Sequence, residues 1–343
     1  MSTAPTPKSR IPWHTIVIAA ATIGLLWLFF RNIDFHQTWR AMTQAHWTYL
    51  AAAVVVTMGT YTLRAIRWLA LLRPLGQARL RTSFRTTVIG FTATFLLPGR
   101  VGEILRPFIL AKQDGLKFTA TFATVILERL LDVSTVLVLF AVSIQLLTVD
   151  IGPEFEAASL AVGAGAIGAL VLLFAMAGHP ERLGLWAGKL GARLPRKAAD
   201  MLTHLVRTFA EGLVVMRRPS DLLAAVLWSF PVWISIGIGI WLTSHAFDLT
   251  LSFVGAFLVV GYLAVGVSVP TPGGAGGFHY FYLLALTRFF GADPSVAAAA
   301  AIILHAISFV PITFLGLFFM WQDGLTFGSL KQMRAEAQAA EKP

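Results

Sequence analysis

At 343 residues the chain is 57% hydrophobic and only 13% charged. A soluble domain averages roughly 45–50% apolar and about 25% charged, so this composition belongs to a protein dissolved in lipid. The net charge of +10 sits in loops between apolar runs with no nucleic-acid-binding motif beside it, and the absence of cysteine excludes disulfides, thiolate metal sites and cysteine nucleophiles.

In chain order, a basic N-terminal segment (1–12) with Lys8 and Arg10 precedes an apolar run at 13–30. That run is long enough to span and ends at Phe29-Phe30-Arg31 in place of a small-residue cleavage site, so it reads as an uncleaved first helix. A short loop at 31–46 leads to a second run, 47–63, which ends in Arg64, Arg67, Arg73, Arg79, Arg81 and Arg85. Arg64, Arg67 and Trp68 read as interface anchors, with contact to a lipid phosphate as the alternative. The run 86–97 is apolar but short and stops at Pro98-Gly99-Arg100-Val101-Gly102-Glu103. A further short apolar stretch, 104–111, and a polar turn, 112–117, follow it.

Residues 118–147 form a long apolar run with Glu128, Arg129 and Asp132 inside it, followed by an acidic loop with Asp150, Glu154 and Glu156. The span expected at 157–177 leads into a basic segment, 178–220. There Leu202, Leu205, Val206, Phe209 and Leu213 share one helical face while Arg207 and Glu211 lie away from it, which predicts a helix on the membrane surface. Another span is expected at 222–247. The run 251–269 ends at Pro270-Thr271-Pro272-Gly273-Gly274-Ala275-Gly276-Gly277, and 278–290 leaves that break. A last span at 296–321 precedes a polar, Ala-rich tail, 323–343.

Placing both basic regions in the cytoplasm requires an even number of crossings between them. The runs 118–147 and 157–177 supply two, so 86–111 must enter and leave on one side as a re-entrant hairpin. The same count makes 251–290 a second hairpin, entering from the opposite face. The expected fold is therefore an all-α polytopic protein of a bacterial-type inner membrane. It has six full spans plus two Pro/Gly-broken re-entrant hairpins, a transmembrane domain over 13–322 and both termini cytoplasmic. Eight spans with two broken helices is the alternative. Pro98-Gly99-x-x-Gly102 recurs as Pro272-Gly273-x-x-Gly276, which defines an inverted-topology repeat with halves at about 84–147 and 251–321.

Arg100, Glu103 and Arg106 are spaced three apart on the helix expected after the first break, and Glu128 and Asp132 form an i, i+4 pair. Charges at mid-span must pair or line a wet cavity. With Arg129 these residues sum to zero, so they read either as a neutral ion-pair network or as a headgroup site. In the second case Arg100 or Arg106, with free N–H groups at the helix start after Gly102, holds an anionic group such as phosphate. Glu103, Glu128 or Asp132 then holds a cationic group or a coupling proton. His279 and His305 are candidates for a proton relay, against plain hydrogen bonding to a neighbour. No Walker loop, His-x-x-x-His or Gly-x-Ser-x-Gly occurs, so neither a cofactor nor a catalytic centre is expected.

Arg67-Trp68 before Leu71-Leu72-Arg73, then Pro98-Gly99-Arg100-x-Gly102-Glu103 with Arg106-Pro107, Glu128-Arg129-x-x-Asp132 and Pro272-Gly273-Gly274-x-Gly276 together resemble one family. It is the lysylphosphatidylglycerol synthase transmembrane-region, or flippase-like, family, over roughly 15–325 of the chain. The resemblance implies a membrane domain that handles lipid, stand-alone here because about twenty residues after the last span leave no room for an aminoacyl-transferase. Exchange of an anionic or zwitterionic lipid between leaflets is the expected function, and membrane lipids are the expected partners. An intramembrane headgroup-modifying enzyme, or a non-catalytic partner of a separate lipid-modifying enzyme, are the rivals.

Overall fold

The computed structural model describes residues 13–31, 33–97, 100–147, 150, 152–178, 203, 206, 209–210, 213–269, 271–326 and 328. Segment 1–12, most of the basic segment, nearly all of the tail, and Pro98, Gly99 and Pro270 of the breaks lie outside them. The described residues form helices joined by turns, without a strand. In chain order these are α1 (Trp13–Phe30), α2 (Phe35–Gln44), α3 (Trp47–Leu72), α4 (Leu80–Leu96), α5 (Gly102–Asp114), α6 (Phe118–Leu147) and α7 (Pro153–Gly178). After the basic segment come α8 (Pro219–Ala246), α9 (Phe253–Ser268), α10 (Gly277–Phe290) and α11 (Pro294–Gln322).

Four of them, α3, α6, α8 and α11, are long and apolar enough to cross a membrane, which makes this a multi-pass membrane protein. The other two expected spans are helices too, but less simple ones. α1 meets α2 at a bend of 81°, and the apolar stretch within α7, Phe155–Gly168, is shorter than a span. The loop expected at 31–46 thus contains a helix. Asp34 caps α2, its Oδ1 accepting from the His36 and Gln37 N–H groups at 2.8 and 3.0 Å.

The second run does not stop at its first arginine. α3 continues to Leu72 because Ala65, Trp68, Ala70, Leu71 and Leu72 are buried beyond it. The surface helix expected around 202–213 is also corrected at its described end. Leu213 and Val215 are fully buried in one core with Trp68, Leu71 and Leu72, so this stretch packs on protein; Leu202, Leu205, Arg207 and Glu211 lie outside the described residues.

Each break turns its pair of helices into a hairpin. At the base of the first, Asp114 ends α5 and accepts from the Arg79 backbone N–H at 3.1 Å and the Thr82 hydroxyl at 3.2 Å, both at the start of α4. Near its tip, a Cβ on Gly102 would overlap the Gly90 carbonyl oxygen, so only glycine permits this approach. The second hairpin repeats the device with Gly277 against the Gly266 carbonyl oxygen, while at its base a Cβ on Gly255 would sit 2.8 Å from the Phe290 ring. At about 20–26 Å each, α4, α5, α9 and α10 fall short of the roughly 30 Å hydrocarbon thickness.

α11 is the ruler for both hairpins. The base of the first lies at its C-terminal end, where Arg85 bonds Gln322 at 2.9 Å and Asp323 at 2.5 Å. From there α4 climbs α11 past Thr92, whose hydroxyl donates to the Ile312 carbonyl at 3.2 Å, to Phe95, whose ring lies 4.3 Å from that of Phe309. The second hairpin descends from the N-terminal end of α11 to Phe278, 5.2 Å from the His305 ring. The tips therefore meet beside His305 and Phe309, about halfway along α11. The hairpins also exchange supports: α4 rests on α11 and α9 on α6, so each leans on the span that follows the other.

Candidate functional site

The charged residues inside the apolar helices gather at one place. Asp132 on α6 accepts from Arg67 Nη1 of α3 at 2.6 Å and from Trp233 Nε1 of α8 at 2.9 Å, both on Oδ1. Its Oδ2 has Arg129 Nη1 at 3.5 Å and Arg64 Nη1 at 3.8 Å. One turn earlier, Glu128 Oε1 accepts from Arg106 Nη1 of α5 and Arg129 Nη2, each at 2.9 Å, with Arg67 Nη2 at 3.2 Å. The Trp68 ring carries the Arg106 guanidinium 3.8 Å from its centroid and anchors its own Nε1 on the Thr124 hydroxyl at 2.9 Å. Arg67 and Glu128 are fully buried, and Arg64, Arg106 and Asp132 nearly so.

Two sequence expectations change here. Arg64, Arg67 and Trp68 do not anchor the chain at an interface, since all three are buried. The trio Arg100, Glu103 and Arg106 also divides. Arg100 precedes α5 in a left-handed conformation, φ 51°, and pairs with Glu103 at 3.9 Å on the open side of the hairpin, while Arg106 alone enters the cluster. The cluster is accordingly three buried arginines (64, 67 and 106) and the partly exposed Arg129 around two buried carboxylates, an excess of two positive charges in place of the neutral count. The free N–H groups expected after Gly102 are spent as well: those of Glu103 and Ile104 donate to the Arg100 and Val101 carbonyls at 3.0 and 3.1 Å.

A second constellation forms where the hairpin tips meet. Arg100 Nη2 donates to the Val267 carbonyl oxygen at 2.8 Å, tying the first break to the end of α9. In the second break Gly273, Gly274 and Gly276 all take positive φ, which lets the chain turn back within a few residues. His305 Nε2 lies 2.9 Å from the Gly273 carbonyl, and the rings of His279 and His305 stand 4.5 Å apart. His279 Nδ1 is buried without a partner. Among the described residues no three His, Asp or Glu side chains converge as metal ligands.

The sequence profile of the lysylphosphatidylglycerol synthase TM region matches residues 14–316, which is most of the chain and includes every residue of both constellations. The chain belongs to that family. Its curated relatives include a UPF0104 membrane protein of Methanothermobacter thermautotrophicus, 26% identical over 81% of this chain and 86% of that protein. A second UPF0104 membrane protein of that organism is 25% identical over 82% of this chain and 85% of its own length. Glycosyltransferase AglD of Haloferax volcanii is 24% identical over 88% of this chain, which spans 53% of that longer protein.

In this member of the lysylphosphatidylglycerol synthase transmembrane-region family, sequence reasoning missed Trp233 and Ser229, which bring α8 to the cluster; Ser229 Oγ accepts from Arg67 Nη1 at 3.2 Å. Neither residue type stands out in an apolar helix. Arg64 reads as an interface anchor along the chain, although its i, i+3 spacing from Arg67 and the apolar residues after Trp68 mark a helix that continues inward.

Proposed function

We propose that this protein exchanges a lipid with an anionic or zwitterionic headgroup between the leaflets of a bacterial-type inner membrane, with its headgroup path where the two broken hairpins face each other. The observation that carries the reading is the meeting of the two tips halfway along α11. Broken backbone at membrane depth is tolerated only where protein or a wet cavity satisfies it, and Arg100 of the first break and His305 of α11 satisfy carbonyls at the second. The short hairpins with joined bases, their approach from opposite ends of α11 and their exchanged supports favour an inverted-topology repeat with six spans and both termini cytoplasmic. The buried charges supply headgroup chemistry beside this path, and the His279–His305 pair is the proposed proton relay.

Purified protein reconstituted into liposomes with a leaflet-resolved lipid assay tests the reading. Exchange faster than in empty liposomes supports it; unchanged exchange across a panel of phospholipids and isoprenoid lipids overturns it. One observation favours a second reading. The match to about half of a glycosyltransferase fits a membrane partner that positions a separate lipid-modifying enzyme. Co-purification of such an enzyme, in a protein inactive in exchange, decides for that partner role.

A further inference from the structure

We infer that the buried arginine–carboxylate cluster seats a doubly charged phosphate, the head of a phosphomonoester lipid; this rests on the lipid-exchange reading above and names its substrate class. The charge count carries it. Among the described residues four guanidiniums surround Glu128 and Asp132, an excess of two positive charges. Including the neighbouring Arg100–Glu103 pair leaves the excess as it is, because that pair is neutral. Arginine does not give up its proton inside proteins, and protonating either carboxylate only widens the imbalance. A buried charge without a partner is among the costliest things a fold can hold, so the cluster is built for an anion.

The unpartnered atoms say which anion. Among the described residues six buried guanidinium nitrogens make no hydrogen bond: Arg64 Nη1 and Arg67 Nη2, which only face a carboxylate as ion pairs, and Arg67 Nε, Arg106 Nε and Nη2, and Arg129 Nε. Against these, two buried carboxylate oxygens, Glu128 Oε2 and the ion-paired Asp132 Oδ2, accept no hydrogen bond. What the site lacks is a group that accepts only and carries two charges. A phosphomonoester carries about −1.5 to −2 at neutral pH on three acceptor oxygens, and guanidinium forks grip it bidentately. A phosphodiester supplies one charge and a zwitterionic head none. Arg129 is the way in. Its side chain is 38% exposed while the other members are nearly or wholly buried, and it can swing from Glu128 and Asp132 toward an arriving phosphate.

The experiment uses the full-length protein in detergent with radiolabelled phosphatidate (phosphomonoester), phosphatidylglycerol (phosphodiester) and phosphatidylcholine (zwitterion). Phosphatidate is expected to be retained at least about tenfold better than the other two, and Arg129→Gln to lower that retention about tenfold with the unfolding midpoint kept. Arg64→Gln, at the cluster's longest ion pair, is the second variant should the first unfold. Arg81→Gln is the control, since Arg79, Arg81 and Arg85 line a separate open cleft of about 920 Å³. Equal retention of the three lipids, or loss in Arg81→Gln and not in Arg129→Gln, overturns the inference. Displacement of phosphatidate by glycerol 3-phosphate at equal concentration keeps the dianion site and overturns its assignment to a lipid. Liposomes separate the two claims: exchange without a phosphatidate preference sinks the inference alone, and phosphatidate retention without exchange sinks the exchange reading alone.

Discussion

Arg100 Nη2 and the Val267 carbonyl oxygen are joined at 2.8 Å across 167 positions of sequence. The bond satisfies a carbonyl in the last turn of α9 that the helix itself leaves open, and it does so from a residue held at φ 51°. A residue in a left-handed conformation at one break thus holds the end of the helix that leads into the other.

Arg100→Gly separates the two effects. It removes a left-handed cost of about 1–2 kcal/mol and also the Val267 bond. Its unfolding midpoint is expected at or above that of the wild type while lipid exchange in liposomes falls. Exchange at the wild-type rate removes the tip contact from the mechanism.

Asp132→Asn leaves Arg67 buried beside a neutral amide and raises the charge excess. Breaking a buried pair in this way costs about 3–5 kcal/mol, read as a lower midpoint in denaturant titration. Arg79→Gln removes a partner that is 71% exposed and leaves the Asp114 carboxylate on the Arg79 backbone N–H and the Thr82 hydroxyl, so a smaller loss of about 1–3 kcal/mol is expected. Equal effects of the two would show that the cluster is hydrated and not buried.

Gly102→Ala forces a Cβ into the Gly90 carbonyl, and backbone cannot yield as a side-chain end can. A loss of about 1–3 kcal/mol is expected, with reduced yield of folded protein. Gly59→Ala on α3 meets nothing within 4 Å and is expected to gain about 0.5–1 kcal/mol. Thermal unfolding of both variants in detergent ranks them, and a tolerated Gly102→Ala would mean that α4 and α5 separate readily.

His305 bonds the Gly273 carbonyl, and Gln at that position retains a donor while Phe does not. His305→Gln is expected to keep exchange within about threefold and His305→Phe to lose it. If the proposed relay runs through the histidine pair, His279→Phe abolishes the response of exchange to an imposed pH gradient while leaving exchange without a gradient. A gradient response that persists in His279→Phe excludes the relay.

The lipid solvent, the helical class, the four long spans and the positions of both breaks were legible along the chain, because apolar run length and Pro/Gly punctuation are local properties. So was the pairing of Glu128 with Asp132, which follows from helical spacing alone. The neutral count failed because the left-handed Arg100 lies before α5 and pairs with Glu103 on its open side, so that Arg106 alone of the three reaches Glu128, and because Arg64 and Arg67 join it there. Arg64 and Arg67 failed as interface anchors for a related reason: whether a charge near a helix end meets water or protein depends on what packs beside it. Here Trp233 and Ser229 of α8, more than 160 positions away, make that environment. Composition and local pattern thus determined that charge lies inside the membrane domain. Only the tertiary packing of α3, α5, α6 and α8 decided which charges meet, and that they meet two positive charges in excess.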